Sequence, residues 1–531
     1  VNPVLWHDFS TGVYQDSGTS TPCTDGTALQ HIVDQSGNGN DGQQATSGNR
    51  PTWHSNPFGS LMGVNQAGAS FNASNSQYLL HPYNVANGIT LFVIGMCQGT
   101  GDMAWMGLEA SSGNLAPYYF KPSNSASLNS AVGEAGGTTL YGGRNTNIMF
   151  MQLVTISNNT VTLWQNGVQV ASASFSGQAS PGSNGFVGAS YYGGNPVDFL
   201  TGIIRHLFIF PQVLGSIDIA ACFSWGRSYL PPAPSLSGVS YIGAFFDSTN
   251  EVLVMGTSSD GINFQQYPIS YVPSGINSGS VGATTRDPRI IQNYTTKTVW
   301  NLAHTSISLS TGLQSGMAQT TDFAYWTSLP NLDWSDVTGS PNQAWAPNLY
   351  VDGSGNTWVY CAVGNSSGPT HAIWYKEFTA ADLSSAGSST ETSITSAPTN
   401  IIDPFLLLYS GTYYLFFANN TGGYVGYASC STQNGTYTVG VSGASNTLGL
   451  GAAEGPFFVT VGSNLTIYVD ATGAAHLEYS QPSGGPTGTY PTPSNVNLTA
   501  YGGGSLTPRH GTIINYSAAT SQGTASLWLV G

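Results

Sequence analysis

Five stretches set the reading of the chain: Arg286-Asp287-Pro288-Arg289-Ile290-Ile291, Trp345-Ala346-Pro347-Asn348-Leu349-Tyr350, Ile402-Asp403-Pro404-Phe405-Leu406-Leu407, Glu454-Gly455-Pro456-Phe457-Phe458-Val459 and Arg509-His510-Gly511-Thr512-Ile513-Ile514. Each leads through Pro or Gly into an apolar run of strand character. Aligned on Pro288, Pro347, Pro404, Pro456 and Gly511 they are 59, 57, 52 and 55 residues apart. A period near ~50 residues with several strands per unit is the mark of a β-propeller. A second strand is expected after each motif, over Thr298–Leu302, Thr357–Ala362, Tyr413–Ala418, Leu465–Val469 and Ala525–Val530. The fifth unit then runs out with two strands. The later-strand patterns Glu251–Gly256 and Ser258–Phe264 supply the rest, so that the two ends share one blade and close a ring of five.

Composition excludes several functions. Only 7% of the 531 residues are charged, with three Lys and seven Arg, and the net charge is −15. Such a surface has little attraction for a phosphate backbone, which argues against nucleic acid as a partner. No apolar run approaches the ~18 residues that would cross a membrane. The 67 Gly and the Ser, Thr and Asn content point to short strands joined by turns, hence an all-β protein. The length suits two domains. The start at Val1-Asn2-Pro3, without Met or leader, suits a processed secreted protein, and a monomer is expected.

Pro231-Pro232-Ala233-Pro234 is a stiff linker (231–235) between residues 1–230 and 236–531. In the first part Ile89–Met96, Met149–Ile156 and Val161–Trp164 read as strands, with Gln165-Asn166-Gly167-Val168 as a hairpin turn. Asp34, Asn38, Asn40 and Asp41 crowd oxygen ligands into one turn, as a Ca²⁺ site would. A Gly/Asn turn whose side chains cap its own backbone is the weightier reading. The five Cys are scattered without metal-ligand spacing. Cys97 and Cys361 read as core, and a Cys23–Cys222 bridge is open. The turn at Val33–Asp41 with Asn49-Arg50-Pro51-Thr52-Trp53, and Gly202–Phe210 followed by a helical Ser216–Trp225, resemble the laminin-G/concanavalin-like jelly rolls. That resemblance implies a β-sandwich and, in its role, a carbohydrate-binding module.

The informative residue of the second part is Glu454. The chain has seven Glu, five of them beyond residue 235, and a Glu among small residues at a strand start is a poor turn former. Blade starts beginning Asp-Pro, Ala-Pro, Asp-Pro, Glu-Gly-Pro and Arg-His-Gly resemble those of glycoside hydrolase family 43 over roughly residues 236–531. The resemblance implies an inverting hydrolase of the arabinofuranosidase, arabinanase, xylosidase or galactanase class, acting on plant-type polysaccharide or its side chains. Asp287 would be the general base, Asp403 the carboxylate that orients the acid and raises its pKa, and Glu454 the general acid. Inner-strand starts converge at one end of a propeller axis, so these acids can face one funnel. Inversion needs an acid–base pair roughly 6.5–9.5 Å apart with room for water, and a third carboxylate keeps the acid protonated.

Around them, Arg286 and Arg509 would bind sugar hydroxyls or tie down carboxylates, Trp345 would stack on a sugar face, and Phe405 would line the substrate site. His510 stands at the repeat position of Asp287 and Asp403. The resemblance places such a His beside a bound Ca²⁺ or its waters, with a structural His the equal alternative; no cofactor is required. Two other readings stay open. One is a non-catalytic glycan-binding surface or fibre protein, against which three retained acids argue. The other is a retaining fructosidase-like enzyme with Asp247 as nucleophile, whose Asn-Asp-Pro-Asn motif is missing here.

Overall fold

In a computed structural model the chain forms two compact units, Val1–Pro232 and a second taking in Ala233–Ser274 and Thr284–Gly531. The structure describes residues 1–57, 66–83, 88–98, 103–110, 118–121, 131–134, 139–141, 149–157, 160–174, 181–192, 195–230, 234–247, 253–267, 269, 271, 285–305, 312–366, 368–380, 382–441, 448–473, 475–500, 504–517 and 529–530.

Among the described residues the first unit is a sandwich of two nine-stranded sheets. Met149–Ile156, Ile89–Cys97 and Gly202–Phe210 lie side by side in one of them, and every residue in all three is buried. Such strands are covered on both faces, which is why they read as largely apolar runs, broken at Gln152 and at Arg205-His206, and not as alternations. The helix Ser216–Gly226 lies on one face, with Phe223 edge-on to Phe92 at 5.5 Å and Trp225 edge-on to Phe208 at 5.3 Å. On the other face Trp105 Nε1 donates across to Gln152 Oε1 at 2.8 Å. The hairpin forms at Asn166 and Gly167, whose φ of 48° and 93° suit a type I′ turn.

The turn at 34–41 is held by its own side chains. Asp34 accepts the backbone N–H groups of Trp6, Ser36 and Asn40, and Asp41 accepts that of Asp34 while meeting His31 Nε2 at 2.8 Å. These oxygens cap backbone, which is the turn reading of the motif. The Cys23–Cys222 bridge is corrected: all five cysteines are free thiols.

The described strands of the second unit form five sheets in cyclic order. The inner strands are Arg286–Gln292, Gln343–Val351, Ile401–Tyr409, Ala453–Val461 and Pro508–Asn515, here blades one to five. Each touches the next, and the fifth touches the first. The second strands Trp300–Thr305, Thr357–Asn365, Thr412–Asn419 and Asn464–Ala471 follow antiparallel, within a few residues of their expected bounds. Apolar clusters fill the gaps between blades, as where Ile291, Met317 and Trp334 of blade one meet Leu349 and Val359 of blade two.

Blade five differs from expectation. The place beside Pro508–Asn515 belongs to Tyr241–Asp247, followed outward by Leu253–Ser258 and Asn263–Tyr267. The blade thus takes one of these four strands from the end of the chain and three from the start, not two and two. Leu529–Val530 instead pairs in parallel with Leu408–Tyr409 of blade three, and 525–528 and 251–252 lie outside the described residues. Gly511 explains the choice: a Cβ there would lie 2.0 Å from the carbonyl oxygen of Ala244. Only Gly lets Tyr241–Asp247 and Pro508–Asn515 approach so closely at this point.

Candidate active site

Each of the five motifs is a β-bulge. The pairing register slips between Arg286 and Arg289, Trp345 and Asn348, Ile402 and Phe405, and Glu454 and Phe457, and again opposite Phe245/Phe246 at His510. Asp287, Ala346, Asp403 and Gly455 carry the bulge with φ of 54°, 48°, 55° and 60°. Left-handed backbone is costly for residues with a Cβ, and bulges recur where a side chain must be re-aimed. Two tiers result. Asp287, Ala346, Asp403 and His510 are buried, whereas Arg286, Trp345, Glu454 and Arg509 are half-buried around them.

A cleft of about 270 Å³ opens between the tiers. Its lining includes Asp287, Asp403, Glu454 and His510, with Arg286, Trp345 and Phe246 on its walls. The three acids and the histidine singled out from sequence therefore share one site.

Asp287 is the most strongly held. His510 Nδ1 lies 2.9 Å from its Oδ1, and Thr305 Oγ1 donates to its Oδ2 at 2.6 Å. Thr305 in turn accepts the N–H of Ala346 at 2.7 Å, so blade two helps orient the blade-one acid. Burial opposes ionisation, but the charge and hydrogen bond of His510, with Arg286 and Thr305, hold Asp287 well below the usual carboxylate range. For Asp403, burial is the largest influence and the Asp287 charge adds to it; the net shift is upward, although His510, the N–H of Gly455 (2.9 Å) and Arg289 favour its ionised form.

Glu454 moves furthest up. Burial first, then the charge of Asp403 with smaller shares from Asp470 and Asp287, push it to about 7 against the pull of His510. His510 itself is raised: burial disfavours its charge, and Asp287 and Asp403 more than restore it. Its Nδ1 is taken by Asp287, and its buried Nε2 has no hydrogen-bond partner among the described residues. Among the described residues no group of three or more His, Cys, Asp or Glu is arranged to hold a metal.

Trp345 stacks on His371, ring centroids 4.4 Å apart and planes 21° apart. Arg286 lies over the Phe246 ring at 5.0 Å. Arg509 ties down carboxylates: its Nε meets both oxygens of Asp470 at 2.7 Å, and its Nη2 is 3.5 Å from Glu454 Oε1. Phe405 is corrected. It is 5% exposed and packs against Phe458 in the core, on the far side of the bulge from the cleft, because the slip at 403–404 sends the following side chain into the blade interface. Asp247 ends its strand opposite Pro508, and its side chain lies outside the described residues.

Two buried groups had no assigned role in the sequence reading. Arg289 donates to the carbonyls of Gly511 (2.8 Å) and Pro456 (3.1 Å) and lies over Phe457 at 4.9 Å, stitching blades one, four and five together under the acids. A charged residue inside an apolar strand run, in a chain with seven Arg, was the available signal. Asp470 had none, since it lies near the end of an ordinary second strand.

No family model matches the sequence, and no curated protein matches it. Among solved structures, a leech intramolecular trans-sialidase is similar at 10% identity, covering 78% of this chain and 77% of its own, with a TM-score of 0.36. A Bacillus subtilis arabinanase is similar at 19% identity over 44% of this chain and 82% of its own (TM-score 0.32). A thermostable family-43 glycoside hydrolase is similar at 12% identity over 51% and 91% (TM-score 0.36).

Proposed function

We propose that the second unit is a glycoside hydrolase that inverts the anomeric centre of an arabinose-, xylose- or galactose-containing glycoside. One observation carries this reading. Two carboxylates in one cleft are driven apart, Asp287 held ionised and Glu454 pushed up to about 7. Such a split assigns base and acid. Asp287 takes a proton from water as that water attacks the anomeric carbon. Both its oxygens already accept a bond, but a carboxylate has about four lone-pair sites, so room for the water remains. Glu454, protonated near neutral pH and partly open to the cleft, delivers its proton to the departing oxygen. Asp403 keeps it protonated, and Trp345 offers an aromatic face for the sugar.

The test is hydrolysis of aryl α-L-arabinofuranoside, β-D-xyloside and β-D-galactoside, followed by proton NMR of the first-formed sugar. Inverted configuration is expected, and Glu454→Gln should fold normally while losing about 10²–10⁴-fold on natural glycosides. Retained configuration, or near wild-type turnover by the variant, overturns the assignment. Binding without turnover by the unmodified protein would make it a glycan-binding protein.

A further inference from the structure

Glu454 and Asp470 are direct partners across the hairpin of blade four. Directly opposite side chains lie on one face with Cβ atoms ~4.5–5.5 Å apart, where two carboxylates repel. Arg509 enters between them from blade five and divides its guanidinium unequally. Nε lies 2.7 Å from both Asp470 oxygens, whereas Nη2 stands 3.5 Å from Glu454 Oε1. Asp470 is wholly buried, and its Oδ2 also accepts the backbone N–H of His510 at 3.3 Å. Both kinds of contact reach the strand that carries the site's histidine.

We propose that Asp470 is a positioning residue for Glu454: by holding Arg509 through Nε it keeps Nη2 at 3.5 Å from Glu454 and stops the guanidinium from closing to a hydrogen-bonded pair with it. The proposal rests on Glu454 being the acid. With Asp470 in place the cation is answered by a buried carboxylate, and Glu454 can stay protonated beside it. Without Asp470 the anion left against Arg509 among the described residues is Glu454, and a close Arg–carboxylate pair draws the carboxyl into its ionised form. The groups facing Glu454 are Asp403 of blade three, Asp470 of its own blade, Asp287 of blade one, and Arg509 and His510 of blade five.

The experiment reads Glu454 directly and needs no substrate. With only seven Glu in the chain, ¹³C labelling of glutamate carboxyls gives few signals, and Glu454→Gln identifies the one that matters. In the full chain, Asp470→Asn should lower the Glu454 titration midpoint by about one pH unit. Asp470→Asn with Arg509→Met should bring it back. A midpoint unmoved by Asp470→Asn in a folded protein overturns the proposal. If that variant does not fold, Arg509→Met alone decides: a raised midpoint supports the proposal, and an unchanged one sinks it. Where activity is found, the basic limb of the kcat/KM profile should follow the midpoint, whereas a uniform loss at all pH values would mean a merely structural role. The midpoint shifts in these variants, together with no hydrolysis by the unmodified protein, would refute the glycosidase reading and leave this arrangement standing.

Discussion

Asp287 and Asp403 occupy the same place in their blades, with the same left-handed backbone, yet they move in opposite directions from the ordinary aspartate value. Position in the fold does not decide this; neighbours do. Asp287 has an imidazole and a hydroxyl on its oxygens, while Asp403 has one backbone N–H and the field of Asp287. The charge of Asp403 is in turn the largest single charge raising Glu454. Asp403→Asn should therefore lower the pKa of Glu454. The active form of Glu454 is protonated and is lost as pH rises through its pKa, so the basic limb of the pH–rate profile should move below about 7. The acidic limb, set by Asp287, should stay. Aryl glycosides with an easily departing phenol should lose less than natural ones. A fixed basic limb with equal losses on both substrates would make Asp403 a sugar-positioning group. Asp287, Asp403 and Glu454 were visible in sequence because each sits beside a Pro or Gly at a recurrent strand start. Asp470 and His371 were not, because each acts through a partner that only folding supplies.

At the scale of the element, the blade start is a bulge built five times. The X-Pro dipeptides were legible as strand starts, but not as bulges, since one residue of register leaves no trace in an apolar pattern. That slip explains why Phe405 faces the core while Asp403, two residues before it, faces the cleft. It also makes a paired prediction. At Gly455 a Cβ would lie 2.4 Å from Cδ2 and 2.5 Å from Nε2 of His510, on a backbone with φ of 60°. Gly455→Ala should cost about 1–2 kcal/mol from the left-handed conformation alone, and should lower kcat/KM further by pushing the imidazole from Asp287. Ala346→Gly, at the same bulge position of blade two, relieves a φ of 48° and adds no atom. It should leave stability within about 1 kcal/mol of wild type and activity intact. Denaturant melts and kcat/KM on both variants check the pair. Equal behaviour would mean that the contact with His510 is not what requires Gly in blade four.

For the whole molecule, the five-fold period was legible from motif spacing, whereas the composition of the closing blade was not. Which end supplies which strand depends on a backbone approach at Gly511 that leaves only a lone Gly in the sequence. No helix among the described residues is long and apolar enough to cross a membrane. The apolar clusters of the second unit draw only on residues from Leu236 onward, and the ring is closed by Tyr241–Asp247 against Pro508–Asn515. All the cleft residues lie on these blades. A chain beginning at residue 233 therefore retains every described strand of the ring and its closure, and should fold alone. It should melt in one cooperative step and hydrolyse small aryl glycosides with kcat/KM within about threefold of the full chain. Polymer binding should weaken if the sandwich is a glycan module. Truncation to residue 248, which removes Tyr241–Asp247, should in contrast leave Pro508–Asn515 without its partner and abolish cooperative melting. If the 233–531 chain is itself insoluble or unfolded, the sandwich is needed to complete the propeller and is not an appended module.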